Sequence, residues 1–247
     1  METKYIRREL SAVIEEAYRY FSVITVTGPR QSGKTTLIRN LFPHLPYYSL
    51  ENLDVRSFAE NDPVAFLNQH KEGMILDEVH NAPNLLSYIQ GMVDDDADRR
   101  FILSGSSQFA MLKKVTQSLA GRTAVFELLP MSYSEIREIA AETPLDHLLF
   151  NGFYPAIYSG RNVPKFLYPA YMKTYLDKDV RDLLQIKDMM QFHTFIRLCA
   201  GRIGSLFKAS ELANEIGISS HTVTAWLSVL QASYIVALLP PYFENTR

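Results

Sequence analysis

Short runs of consecutive apolar residues alternate along the first half of the chain with stretches whose apolar positions recur every three or four residues. The short runs are Phe21–Val26, Tyr47–Leu50, Gly73–Leu76, Arg100–Ser104 and Ala124–Leu128. Their length, and their β-branched and aromatic content, predict buried strands. The longer stretches predict helices. One spans Arg7–Tyr20 with Leu10, Val13, Ile14 and Ala17 on its apolar face. Another starts at Lys34 and stops before Pro43, and others fall near Pro63–Gln69, Asn84–Val93 and Gln108–Leu119, the last ending at Gly121 as a C-cap. The acidic run Asp94–Asp98 reads as a solvated loop. Strands alternating with helices predict an α/β domain over residues 21–131, preceded by a helical segment at 1–20.

The pattern then changes. Residues 132–195 are mostly helical and rich in aromatics; Tyr168, Tyr171 and Tyr175 recur at helical spacing, which assigns them to a core rather than to a base-stacking platform. In residues 196–247 a helix over Lys208–Ile216, a Gly217-containing turn and a helix over Ser219–Gln231 form a helix-turn-helix, with Ser219 or Ser220 as cap. A strand at Tyr234–Leu239 would begin a wing, but no second strand follows before Arg247, so the module reads as a partial, truncated winged helix. Phosphate contacts dominate DNA affinity. The second helix carries no Lys or Arg, only His221. A nucleotide-gated DNA-binding protein is therefore the alternative reading and not the first.

One segment carries specific chemistry. Thr27–Thr36, TGPRQSGKTT, matches the phosphate-binding pattern G-x-x-x-x-G-K-[ST] at Gly28, Gly33, Lys34 and Thr35, between a predicted strand and a predicted helix. Loop N–H groups and a helix N-terminus bearing roughly half a positive charge form an anion trap. Gly28, Pro29, Arg30, Gln31, Ser32, Gly33, Lys34, Thr35 and Thr36 are the candidate nucleotide contacts, with Lys34 reaching the β- and γ-phosphates and the Thr35 hydroxyl ligating Mg2+. A second run, Gly73–Leu76, ends in Asp77 and Glu78. A carboxylate at the tip of a buried strand beside the loop can hold the metal shell, which assigns Asp77. Glu78, one residue on, can polarise an attacking water as general base. ATP and Mg2+ are the expected ligands.

GPRQSGKTT, ILDEVHNAP, LSGSSQF and SLAGRTAVFELLP occur in this order. With Asn151-Gly152-Phe-Tyr-Pro155, Tyr175–Arg181 and Ala209–Leu239, they make the chain resemble the prokaryotic AAA+-type ATPases, in which the ATPase domain is followed by a helical region and a C-terminal domain of unknown function. The resemblance implies a P-loop NTPase of the AAA+/ASCE type, with a five-stranded parallel sheet between helices and a helical lid over the nucleotide. It implies a strand inserted between the two motif-bearing strands, whose polar tip touches the γ-phosphate or the water; Ser104 and Ser106 both fit. An arginine just before the fifth strand, here Arg122, would reach a neighbouring subunit's γ-phosphate in a homo-oligomer. A surface arginine beside a helix C-terminus is the other reading. Gly152 and Pro155 correspond to an element beside the base. His80, where the family often has Gln, contacts the γ-phosphate or caps the loop. The winged helix would meet DNA or a protein client.

Composition adds bounds. The 247 residues are 47% hydrophobic and 21% charged, with a net charge of −2, so no global positive field gathers nucleic acid. A single cysteine, Cys199, rules out an internal disulfide or a multi-cysteine zinc site, and it reads as core. The histidines lack metal-ligand spacing. No apolar run reaches the ~18 residues of a membrane span. The start, Met-Glu-Thr-Lys, lacks a signal-peptide core, so the expectation is a cytoplasmic protein without membrane partners.

Overall fold

Five apolar runs become five strands because parallel neighbours bury them on both faces, and nearly every residue of β1 (Val23–Thr27), β3 (Gly73–Asp77) and β4 (Arg100–Gly105) is buried. β2 (Tyr47–Ser49) and β5 (Thr123–Glu127) complete a sheet of order β2-β3-β4-β1-β5. All pairings are parallel: β1 sits between β4 and β5, with Val23 opposite both Phe101 and Thr123. β4 is inserted between β1 and β3, as expected for this class of sheet. The computed structural model describes residues 5–105, 118–174 and 188–240.

Strand periodicity divides the core into two layers. Met74, Leu76, Phe101 and Leu103 point to one face, where they pack with α3 (Leu53–Asn61), α4 (Pro63–Leu67) and α5 (Leu85–Asp95) through Ala59, Phe66, Leu67 and Ile89. Ile24, Val26, Ile75 and Ile102 point to the other, against α1 (Leu10–Ala17) and α2 (Lys34–Leu41) through Ile14, Leu37 and Ile38. A smaller core of Met131, Ile136 and Leu148, with Ile6, Phe153 and Tyr158 against it, gathers α6 (Tyr133–Ile139), α7 (Leu145–Asn151), α8 (Pro155–Tyr158) and the chain start.

Several boundaries differ from the expectation. α1 is shorter than Arg7–Tyr20, and Val13 of its predicted apolar face is 51% exposed. α3 is not expected from the apolar spacing; the side chain of Asn52 caps it by accepting from Asp54 N–H and Val55 N–H. α5 extends through Asp95, so the acidic run starts inside a helix instead of a loop. The helix expected at Gln108–Leu119 falls almost wholly outside the described residues.

The chain separates after Pro164 into two compact units. Helix α9 (Pro164–Tyr171) starts at that boundary. Within the second unit, Phe192 and Phe195 of α10 (Met189–Ala200) hold Trp226 of α12 (Ser220–Ala232) at ring separations of 5.2 and 5.6 Å. α11 (Ala209–Ile216) ends at Gly217 with φ of 78°, and Ser219 caps α12 by accepting from Thr222 N–H, so the helix-turn-helix forms as expected. The strand expected at Tyr234–Leu239 does not form. Tyr234 takes φ of 57° and turns the chain back, and the N–H groups of Ile235 and Val236 bond Leu230 O, closing the helix end instead of entering a ladder. Cys199 is half-buried rather than core, and burial raises its thiol pKa. Among the described residues no helix is long and apolar enough to cross a membrane.

Candidate nucleotide site

The loop after β1 is shaped by backbone conformations that ordinary residues avoid. Gly28, Gln31 and Gly33 have φ of 142°, 64° and 97°, and successive N–H groups in such turns make an anion-binding concavity. Gly28 is required for a second reason: a Cβ there would stand 2.2 Å from Leu128 O. The loop thus runs directly over the end of β5, where Leu128 N–H also bonds Thr27 O. Pro29 and Ser32 are buried, while Arg30, Gln31 and Thr36 lie at the surface.

Lys34 opens α2 and is 5% exposed. Its ammonium donates to the carbonyls of Gly28 (3.0 Å) and Pro29 (2.9 Å), two of its three donors. Burial lowers its pKa, and the nearby Glu78 and Asp77 carboxylates pull it back up.

Asp77, at the tip of β3, is the hub. Its Oδ2 accepts from Thr35 Oγ1 and from the Tyr47 hydroxyl, both at 2.7 Å, and its Oδ1 accepts from Ser104 Oγ in a short bond. The inserted strand β4 therefore delivers Ser104 to the carboxylate of Asp77; Ser106 lies outside the described residues. Glu78 turns the chain with φ of 54°, and its Oε2 lies 3.1 Å from His80 Nδ1, so His80 faces the candidate base from within the 3-10 turn Val79–Asn81.

Pro155 reaches the loop, since its Cγ lies 3.7 Å from where a Cβ on Gly33 would be. Gly152 caps α7 with φ of 68° and offers its carbonyl to the Tyr158 hydroxyl at 2.8 Å. Arg122 is not with the others. It precedes β5 at the opposite end of the parallel strands from Asp77, Ser104 and the loop, and its guanidinium forks onto Asp94, with Nη2–Oδ2 at 2.7 Å. That bond holds the Asp94 carboxyl below its usual pKa.

Two site residues were missed. Tyr47 looks like any strand aromatic in the sequence. Arg8 is a buried cation that donates to the loop carbonyl of Ser32 at 2.8 Å, to Leu129 O and to Glu135. Its partner was legible in part, because Ser132-x-x-Glu135 is a capping-box pattern, and the box forms.

A parallel sheet with a strand inserted between a glycine-loop strand and an acid-tipped strand is the fold of P-loop nucleotide-binding proteins. Comparison with known proteins agrees. The model of an AAA domain matches residues 20–137, and that of a domain of unknown function (DUF8612) matches residues 142–247. An uncharacterised protein of Mycobacterium tuberculosis is 29% identical over 97% of this chain and 54% of its own length. One of Methanocaldococcus jannaschii is 21% identical over 90% of this chain and 57% of its own. The chain thus spans about half the length of the curated relatives it matches. Among solved structures, a Walker-type ATPase of Pyrococcus abyssi superposes with a TM-score of 0.57 at 15% identity, covering 93% of this chain and 90% of that one, a likeness of fold. An AAA domain at residues 20–137 followed by a domain of unknown function is an arrangement consistent with an AAA+-type ATPase family.

Proposed function

We propose that this protein hydrolyses ATP with the help of Mg2+ and uses the cycle to change the state of its second unit or of whatever that unit engages. The observation that carries the reading is the bond between Thr35, first turn of α2, and Asp77, tip of β3, with Glu78 as the next residue. The donor set suits the metal: one hydroxyl and one carboxylate oxygen, side by side, are hard ligands of the kind Mg2+ takes together with waters and substrate phosphates. Bound there, Mg2+ would neutralise charge on the phosphates.

The chain's own groups do the rest. Backbone N–H groups of residues 28–36 bind the phosphates, and Lys34 leaves the Gly28 and Pro29 carbonyls for the β- and γ-phosphates. Glu78 accepts the proton of the attacking water, and Ser104 fixes the Asp77 carboxylate. Pro155 borders the loop where the nucleoside emerges. Arg122 acts, if the chain assembles, in a neighbouring copy's site, because its own site lies at the far end of strands about 13 Å long. The helix-turn-helix carries protein contacts, since α12 offers no Lys or Arg to a phosphate backbone. Phosphate release by the purified chain with ATP and Mg2+, abolished in Asp77→Asn, tests the proposal; equal release by both proteins overturns it.

A further inference from the structure

The carboxylate of Asp77 is held by three hydroxyls from three different elements, and only two of them belong to segments with a nucleotide-binding pattern. Thr35 comes from the loop helix and Ser104 from the inserted strand. The third, Tyr47, comes from β2, the edge strand on the far side of β3. Its hydroxyl bonds the same Oδ2 that Thr35 bonds, both at 2.7 Å. A phenol is protonated at neutral pH, so it donates, and it keeps that oxygen's second lone pair occupied.

The ring that carries this hydroxyl is itself fixed. Tyr47 pairs in register with Ile75, two residues before Asp77 on the adjacent strand. The Arg39 guanidinium lies 4.7 Å from the centroid of its ring. The ring also packs on the core layer of Ile24, Leu37 and Ile75. Two donors on opposite oxygens, Tyr47 on Oδ2 and Ser104 on Oδ1, remove the rotation of the carboxyl about its terminal torsion, which is otherwise broad.

We propose that Tyr47 is a positioning residue of the divalent-cation site, fixing the rotation of Asp77 so that one carboxylate oxygen stays beside Thr35. This rests on the assignment of Thr35 and Asp77 to the metal. Groups that orient a ligating carboxylate typically contribute about 10–100-fold to metal affinity. The ring alone, by contrast, supplies packing that phenylalanine would keep.

The test is a Mn2+ titration by electron paramagnetic resonance, made on the whole chain with a non-hydrolysable ATP analogue, for wild type, Tyr47→Phe and Asp77→Asn. Expected is a roughly 10–100-fold weaker Mn2+ affinity in Tyr47→Phe. Its thermal midpoint and its affinity for the analogue in the presence of a chelator should match wild type. Unchanged Mn2+ affinity in Tyr47→Phe overturns the proposal. So does a loss matched by an equal fall in metal-free nucleotide affinity and in thermal midpoint, which would mark the hydroxyl as structural only. If Asp77→Asn binds Mn2+ as well as wild type, the metal assignment itself fails, and the role of Tyr47 fails with it.

Discussion

Arg8 Nε donates to Glu135 Oε1 at 2.9 Å across 127 residues of sequence, and the two side chains are 7% and 5% exposed. Neither charge is left without further partners. Glu135 also accepts from the backbone N–H groups of Glu9 and Ser132, while Arg8 also donates to Ser32 O, Leu129 O and Pro130 O. The segment before α1 is thereby tied to the phosphate loop, to the end of β5 and to the first turn of α6 through one guanidinium.

Removing one partner of such a pair leaves a buried charge uncompensated, at a cost of about 3–5 kcal/mol. Arg8→Met and Glu135→Gln should each lower stability in urea unfolding by an amount in that range. The double variant should be less destabilised than the sum of the singles, because neither charge remains. Simple additivity would show that the pair is not a unit.

Gly28→Ala should fail for a reason unrelated to phosphate. The added Cβ would sit 2.2 Å from Leu128 O, at a φ of 142° that a side chain rarely takes. Moving the loop off β5 should cost upwards of about 2 kcal/mol. A midpoint within a degree of wild type in thermal unfolding would mean the loop relaxes freely.

Lys34→Ala should abolish ATP binding while leaving the fold intact. Burial disfavours the charged ammonium and lowers its pKa, so removing the charge should not unfold the chain. Calorimetry with ATP provides the check; wild-type affinity in the variant would remove the loop from the nucleotide site.

Glu78→Gln should retain ATP and hydrolyse it about 10²–10⁴-fold more slowly, since the amide keeps the shape but cannot accept the water's proton. Phosphate release within twofold of wild type would take the role of base away from Glu78.

These residues differ in how visible they were. The strands, the loop and the Asp77-Glu78 tip were legible because consecutive apolar residues and fixed spacings are local signals, and the insertion of β4 followed from the kind of motif. Arg8 and Tyr47 were not legible, because what defines them is a contact made across 127 and 30 residues. The strand expected at Tyr234–Leu239 follows from the helix-turn-helix before it, but a strand needs a neighbour, and none pairs with it among the described residues; the N–H groups of Ile235 and Val236 close α12 instead. The acidic run from Asp94 reads as solvated loop from its charge, yet the helix before it runs two residues into that tract.

Asp94 matters for the last expectation, which concerns Arg122. Within one chain the guanidinium is committed to the two oxygens of Asp94 and to Ala120 O, at the end of the sheet away from its own phosphate loop. An arginine so placed can serve a nucleotide only across a subunit boundary, where it could contribute about 10³–10⁵-fold to turnover. It would have to exchange Asp94 for phosphate. Both side chains are partly exposed, so the pair itself contributes little and gives way readily. Mixing two inactive variants, Arg122→Ala and Lys34→Ala, separates the roles: a Lys34→Ala subunit keeps its arginine and can complete the intact pocket of its neighbour. Partial recovery of hydrolysis in the mixture, with specific activity rising with protein concentration in the wild type, is the expected outcome. Asp94→Ala should then raise turnover at low concentration, because the arginine no longer has to leave a carboxylate. No recovery on mixing, with specific activity independent of concentration, would mean that Arg122 only ties α5 to the start of β5.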